Sequence, residues 1–158
     1  MARRRSVLAA AAAATLLPMR LRAVESADGA DEALKDDGDF AAGMSALRGG
    51  DAAAALPRLQ AALRRFPDAA ELHNELGFAH RKLRQMDKAF EHYKRALAID
   101  PRHRGAHEYI GEAYLMVGDV ASAEKHLAAL RDICLLPCDE QRDLAQAIAA
   151  HRSAAPAR

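Results

Sequence analysis

The sequence predicts an all-α fold: three helix-turn-helix repeats closed by a C-terminal capping helix. Three observations predict it. Unlike residue types recur at one spacing of 34: Pro67 and Pro101; Gly43, Gly77 and Gly111; Ala55, Ala89 and Ala123. Gly50 and Gly118 lie two such steps apart. A fixed period of this size marks a stack of like supersecondary units. Between the markers, apolar residues recur every three or four positions, the helical spacing. The composition agrees, with 51% hydrophobic residues but only 4% aromatic and no Trp. A core of Ala and Leu suits helices that approach closely through small side chains.

The chain begins with a segment that is not read as fold. Residues 1–27 carry a basic start at Arg3, Arg4 and Arg5, then an apolar run from Val7 to Leu17. That run is shorter than the roughly 20 residues a membrane-spanning helix needs. It fits a secretory signal peptide, with cleavage expected between residues 23 and 27. Arg4-Arg5-Ser6-Val7-Leu8 also resembles a twin-arginine signal, although Arg3 stands where Ser or Thr is usual. Either route places the mature protein in the periplasm of a bacterial envelope. The acidic stretch 28–35 is expected to be a disordered linker.

The repeats follow at 36–69, 70–103 and 104–137. In the second, Leu76, Phe78 and Leu83 give the first helix an apolar side. Ala89, Tyr93, Ala96 and Leu97 do so for the second helix. Gly77, Ala89 and Ala96 let the two backbones approach, and Tyr93 supplies most of the buried area. Pro101 stops the second helix and biases Asp100 away from helical backbone. Pro57 is expected near the first turn of its helix, where the missing N–H matters little. Residues 138–152 form the cap: Leu144, Ala145 and Ile148 share a face, and Asp139 and Glu140 favour a helix start. A cap is needed because the last repeat exposes an apolar face. The tail, 153–158, is expected to be disordered.

The stretch "ELHNELGFAHRKLRQMDKAFEHYKRALAIDP" resembles the tetratricopeptide repeat. Leu76, Gly77, Ala89, Tyr93, Ala96 and Pro101 occupy that family's characteristic positions, while His73 and His80 replace its usual aromatics. The first repeat keeps Gly43, Gly50, Ala55, Ala62 and Pro67. The third keeps Ile110, Gly111, Tyr114, Gly118, Ala123 and Leu127. The resemblance covers about 100 residues. It implies a right-handed superhelix whose first helices line a concave face.

Carried over position by position, that face is expected at Asp37, Phe40, Met44, Leu47 and Arg48; at Glu71, Asn74, Phe78, Arg81 and Lys82; and at Gly105, Glu108, Glu112, Leu115 and Met116. The Lys and Asn with which some family members grip a C-terminal carboxylate are replaced by Phe40 and Met44. What remains is an apolar floor between a basic patch (Arg48, Arg81, Lys82) and an acidic one (Glu108, Glu112). Such a surface suits an amphipathic helix or extended peptide. Joint replacement of Phe78 and Arg81 is expected to abolish partner capture without unfolding the protein.

The functional expectation is therefore a non-enzymatic adaptor, assembly factor or accessory subunit that binds another protein or peptide in the envelope. The alternative is a thiol-based redox or copper-handling protein using Cys134 and Cys138, and a third reading, an accessory domain of a cytosolic complex, applies if the export signal is false. No cofactor, nucleic acid or small-molecule substrate is expected. The net charge is +1, and without residues 1–27 it becomes −3, from 18 basic and 21 acidic residues, which is no nucleic-acid footprint. There is no nucleotide loop, zinc pattern or glycine-flanked serine. His73 and His107 share one repeat position, and His92 and His126 another. A stacked metal site is one reading; repeat arithmetic filling half-buried aromatic slots is the other, and it is favoured.

The two cysteines, Cys134 and Cys138, fall at the turn into the cap. In an oxidising compartment they fit a structural disulfide. The rival reading is a redox or Cu(I)-handling thiol pair. Asp139 and Glu140 beside Cys138 oppose the thiolate that chemistry needs.

Overall fold

The computed structural model describes residues 25–154. It contains eight helices in that span: α1 (Glu25–Leu34), α2 (Gly38–Arg48), α3 (Ala52–Leu63), α4 (Ala70–Lys82), α5 (Met86–Ile99), α6 (Arg104–Met116), α7 (Val120–Ile133) and α8 (Asp139–Ala154). Helices α2/α3, α4/α5 and α6/α7 form antiparallel pairs, and each pair stacks on the next. Helix α8 packs on both α6 and α7, more on α6, whereas α4 and α6 lean mainly on the second helix of the pair before them. The first helices of successive pairs approach one another more closely than the second helices do. The stack therefore curves with α2, α4 and α6 on its inner side.

The periodic glycines explain the pair geometry. A Cβ on Gly77 would stand 2.6 Å from ring carbons of Tyr93, and one on Gly43 would stand 2.6 Å from Leu59 Cδ2. In the third pair the intruder is different: a Cβ on Gly111 would meet Leu144 of the cap at 2.7 Å. The cap thus seats Leu144 in the notch that Gly111 leaves open. Leu144 is fully buried there, together with Leu130 and Ile148.

Each first helix ends in the same left-handed turn. Gly50 has φ 81° and Gly118 has φ 82°. The next amide closes back on the helix, from Asp51 N to Ala46 O and from Asp119 N to Tyr114 O, both at 2.9 Å. Asp51 and Asp119 then cap the following helix, accepting from Ala54 N and Ser122 N. The middle repeat makes the same turn with Arg84 at φ 60°, and Gln85 gives no cap because its amide oxygen binds His80 Nδ1 at 2.7 Å. A non-glycine residue in this region costs about 1–2 kcal/mol, partly offset by the unfolded-state entropy a glycine adds. Arg84→Gly should therefore stabilise the protein by about 1 kcal/mol, read as a higher urea midpoint. No change would mean that the turn carries no strain.

Three segments differ from the sequence expectation. The stretch 28–35, expected to be a disordered linker, is helical through Leu34. The reason is Leu34, 1% exposed, which together with half-buried Ala30 packs into the core of the first repeat. Asp31 adds a hydrogen bond, accepting from Glu71 N at 3.1 Å. The cap continues two residues past the expected 152, and Ser153, assigned to the tail, is helical with its Oγ donating to Ala150 O at 2.9 Å. Pro57 lies inside α3, a turn deeper than expected. Its missing N–H leaves the Ala53 carbonyl, and both residues are exposed, so water can satisfy the group. The expected signal peptide lies mostly outside the described residues, as does the tail beyond Ala154; residues 25–27 open α1.

Cys134 and Cys138 are joined in a disulfide, with Cα atoms 6.0 Å apart. It ties the C-cap of α7 to the residue before α8. Its loop displays Leu135 and Leu136 almost fully to solvent. In this bridged form neither sulfur is a free thiol, which favours the structural reading over the Cu(I) or redox one. A loop this short restricts the unfolded chain by about 2 kcal/mol. Cys134→Ser with Cys138→Ser should lower stability by about that amount and speed amide exchange in α8 ahead of α4. Uniform acceleration along the chain would contradict a local staple.

Candidate functional site: the concave face

The inner face carries three clefts, and its charge is polarised across its width. Carboxylates gather at the N-terminal ends of the inner helices: Glu71 on α4, Glu108 on α6 and Glu140 on α8. Arg48 and Lys82 end α2 and α4. Both placements suit the helix dipoles.

The first cleft, of about 500 Å³, lies between α1, α2 and the start of α4. Leu34, Phe40 and Met44 make its apolar floor, and Asp31, Lys35, Arg48 and Glu71 its rim. The second, of about 410 Å³, is polar and runs from Glu71 past Asn74 and Glu75 to Glu108, Tyr109 and Glu140. A small third cleft joins Arg81, Lys82, Arg84 and Met116.

The residues expected on this face fall into two groups. Phe40, Met44, Arg48 and Glu71 meet in the first cleft, and Asn74, Glu108 and Gly105 in the second; Lys82 and Met116 border the third. Phe78 is half-buried against Tyr109, with ring centroids 5.1 Å apart, and Lys82 Nζ sits 5.0 Å above its ring. The others are taken up by the fold. Leu115 is buried in the core shared with the cap, and Leu47 packs on the core of the first repeat. Asp37 caps α2, accepting from Phe40 N at 2.9 Å, and is clamped by Arg65.

Arg81 is the main departure. The sequence reading made it part of an open basic patch. It is 8% exposed, lies 5.3 Å from the Phe78 ring and 5.4 Å from the Tyr109 ring, and pairs with Glu112 at 2.7 Å. Its Nε also donates to the Tyr93 hydroxyl at 3.3 Å. The expected basic and acidic patches are thus joined here in one internal ion pair. Joint replacement of Phe78 and Arg81 would damage the fold as well as the face.

Glu75, His103, Tyr109 and Asp31 belong to the face and were missed. Glu71, Glu75, Phe78 and Lys82 form one stripe at steps of four, three and four, so helical spacing alone would have found Glu75. His103 Nδ1 caps α6 by accepting from Ala106 N at 3.1 Å, and its Nε2 meets Glu71 Oε2 at 3.0 Å. Burial opposes charge on His103, but the Glu71 hydrogen bond and carboxylate outweigh it and raise its proton affinity. A second proton would have to take the nitrogen that caps α6. The same contact holds Glu71 below the ordinary carboxylate range.

The repeated histidines pair across each helix hairpin. His73 Nδ1 lies 3.1 Å from His92 Nδ1, and His107 Nδ1 lies 2.9 Å from His126 Nδ1. His73 Nε2 donates to Pro67 O and His107 Nε2 to Pro101 O. The hydrogen-bond pattern therefore assigns His73 and His107 as neutral acceptors at Nδ1. Among the described residues, no cluster of three or more groups could hold a metal ion. Burial, then the neighbouring imidazoles, depress His92 and His126 to about 4. Unfolded imidazoles take their proton near 6.5, so the unfolded chain binds more protons between those limits. Stability from these groups is lost as pH falls from 6.5 to 4. Replacing both with Gln should reduce that loss in pH-dependent urea unfolding; an undiminished loss would place it elsewhere.

Two tetratricopeptide repeat family models match, one over residues 40–104 and one over 80–133. Together they span more than half of the chain, and the protein is a tetratricopeptide-repeat protein with an all-α solenoid fold. No curated protein matches the chain. Repeats of this kind suggest a protein–protein interaction module.

Proposed function

We propose that the protein is a non-enzymatic interaction module of the bacterial envelope, an adaptor, assembly factor or accessory subunit. It binds a helix or extended segment of another protein along its concave face. The observation that carries this reading is the first cleft. Phe40 and Met44 are only partly buried there, beside charged groups of both signs, and this is how a peptide anchor site is built. The basic start and short apolar run of residues 1–27 support export. So does the disulfide, since such bonds persist in oxidising compartments. Affinity purification from envelope extracts of the full chain should recover a partner that Met44→Glu with Lys82→Glu loses, while the helical circular dichroism is unchanged. Undiminished recovery by the folded double variant would overturn the concave-face reading.

A further inference from the structure

We propose that the second cleft receives a basic side chain of the bound segment, its ammonium or guanidinium donating to Asn74 Oδ1 between the carboxyl groups of Glu75 and Glu108. This deepens the concave-face reading and rests on it.

Asn74 is 3% exposed, and its Nδ2 donates to Glu75 Oε1 at 3.2 Å. Its Oδ1 is buried with no hydrogen-bond partner. An unsatisfied buried acceptor is costly, so a ligand donor toward which the Asn74 amide turns gains affinity by filling it. Glu75, 8% exposed, lies beside it on the cleft wall. Glu108 lines the same space and has no ion-pair partner among the described residues. None of the basic groups lining this cleft forms an ion pair with Glu75 or Glu108: Arg102 Nη2 donates to Ile133 O at 3.3 Å, Arg104 Nε lies 3.6 Å from Glu140, and His103 Nε2 meets Glu71 Oε2 at 3.0 Å. Both arginines are exposed. The two arginines lie at the rim and His103 is engaged by Glu71, so the acceptors of Asn74, Glu75 and Glu108 are left without a cation.

The proton affinities fit. Burial, then repulsion from Glu71, raises Glu75 to about 7; burial, then Glu112 and Asp143, raises Glu108 to about 7. Both carboxyls thus lack enough positive charge nearby, and an arriving cation would supply it. A long Lys or Arg stem is needed to carry charge past the rim to Asn74. Glu71 lines both this cleft and the first, so one segment can place an apolar residue on Phe40 and Met44 and a basic residue here.

The test titrates the isotopically labelled full chain with N-acetyl-arginine N-methylamide and its neutral isostere, the citrulline analogue. The arginine probe should shift the Asn74 side-chain amide and the Gly105 backbone amide, with the citrulline probe at least about tenfold weaker. Glu108→Gln should weaken arginine binding about fivefold or more. Equal binding of the two probes, tighter binding of N-acetyl-glutamate N-methylamide, tighter binding of putrescine, or an unaffected Glu108→Gln would each overturn the assignment. Should partner recovery through Met44 persist while the arginine probe fails, the cation assignment alone falls; loss of both overturns the concave-face reading.

Discussion

Replacing Arg81 with alanine should cost about 3 kcal/mol of stability, far more than a surface arginine. The side chain is consumed on three sides at once. Its guanidinium pairs with Glu112 and lies within cation–π range of Phe78 and Tyr109, and Nε serves the fully buried Tyr93. Removing it strands the Glu112 carboxylate beside Glu108, opens a hole between two aromatic rings and leaves the Tyr93 hydroxyl without that donor. Arg81→Met keeps much of the stem volume and should recover part of the loss, because packing as well as charge is at stake. Arg48→Ala, at an exposed helix end, should change the urea midpoint little. A loss below about 1 kcal/mol for Arg81→Ala would mean that the pair is a surface contact.

Gly77→Ala should be nearly as damaging, at about 2–3 kcal/mol, although alanine is the better helix former. The added methyl would sit 2.6 Å from two ring carbons of Tyr93. That ring is rigid, fully buried and pinned through its hydroxyl. Relief requires the α4/α5 pair to part. The matching change at Gly43 meets Leu59 Cδ2 at 2.6 Å and Cγ at 2.8 Å, an aliphatic side chain that is also fully buried but has more rotamers than a ring. Gly43→Ala should therefore cost less, by about 1 kcal/mol. Equal losses at the two sites would contradict the view that ring rigidity sets the penalty.

Most of the architecture was legible because the repeat period fixes it. Gly43, Gly77, Gly111 and the prolines state where pairs begin, touch and end, and the fold obeys them. The missed helix α1 has a physical cause. Its eight other residues, all acidic or small, mask a two-residue anchor, Ala30 and Leu34, which is effective only by packing against the repeats. Arg84 marks a similar limit: the turn is imposed by its neighbours, since glycines at Gly50 and Gly118 make it with no strain. The face was legible by position but not by role. Family positions said which residues point inward, but they could not say that Arg81 and Glu112 would neutralise each other or that Leu115 would be buried by the cap. Glu75 was hidden by the opposite error, a carboxyl assigned to no inward position and yet buried on the cleft wall.

The central claim is that the inner face of α2 and α4 contacts another protein. Site-specific photo-crosslinking in living cells tests it most directly, with a photoreactive residue at Met44, at Lys82 or at Ala128. Ala128 is exposed on α7, a second helix away from the inner face. The account predicts one discrete crosslinked partner from Met44 and Lys82, and none from Ala128. Crosslinks that are absent from the inner positions, or equally strong from Ala128, would contradict it.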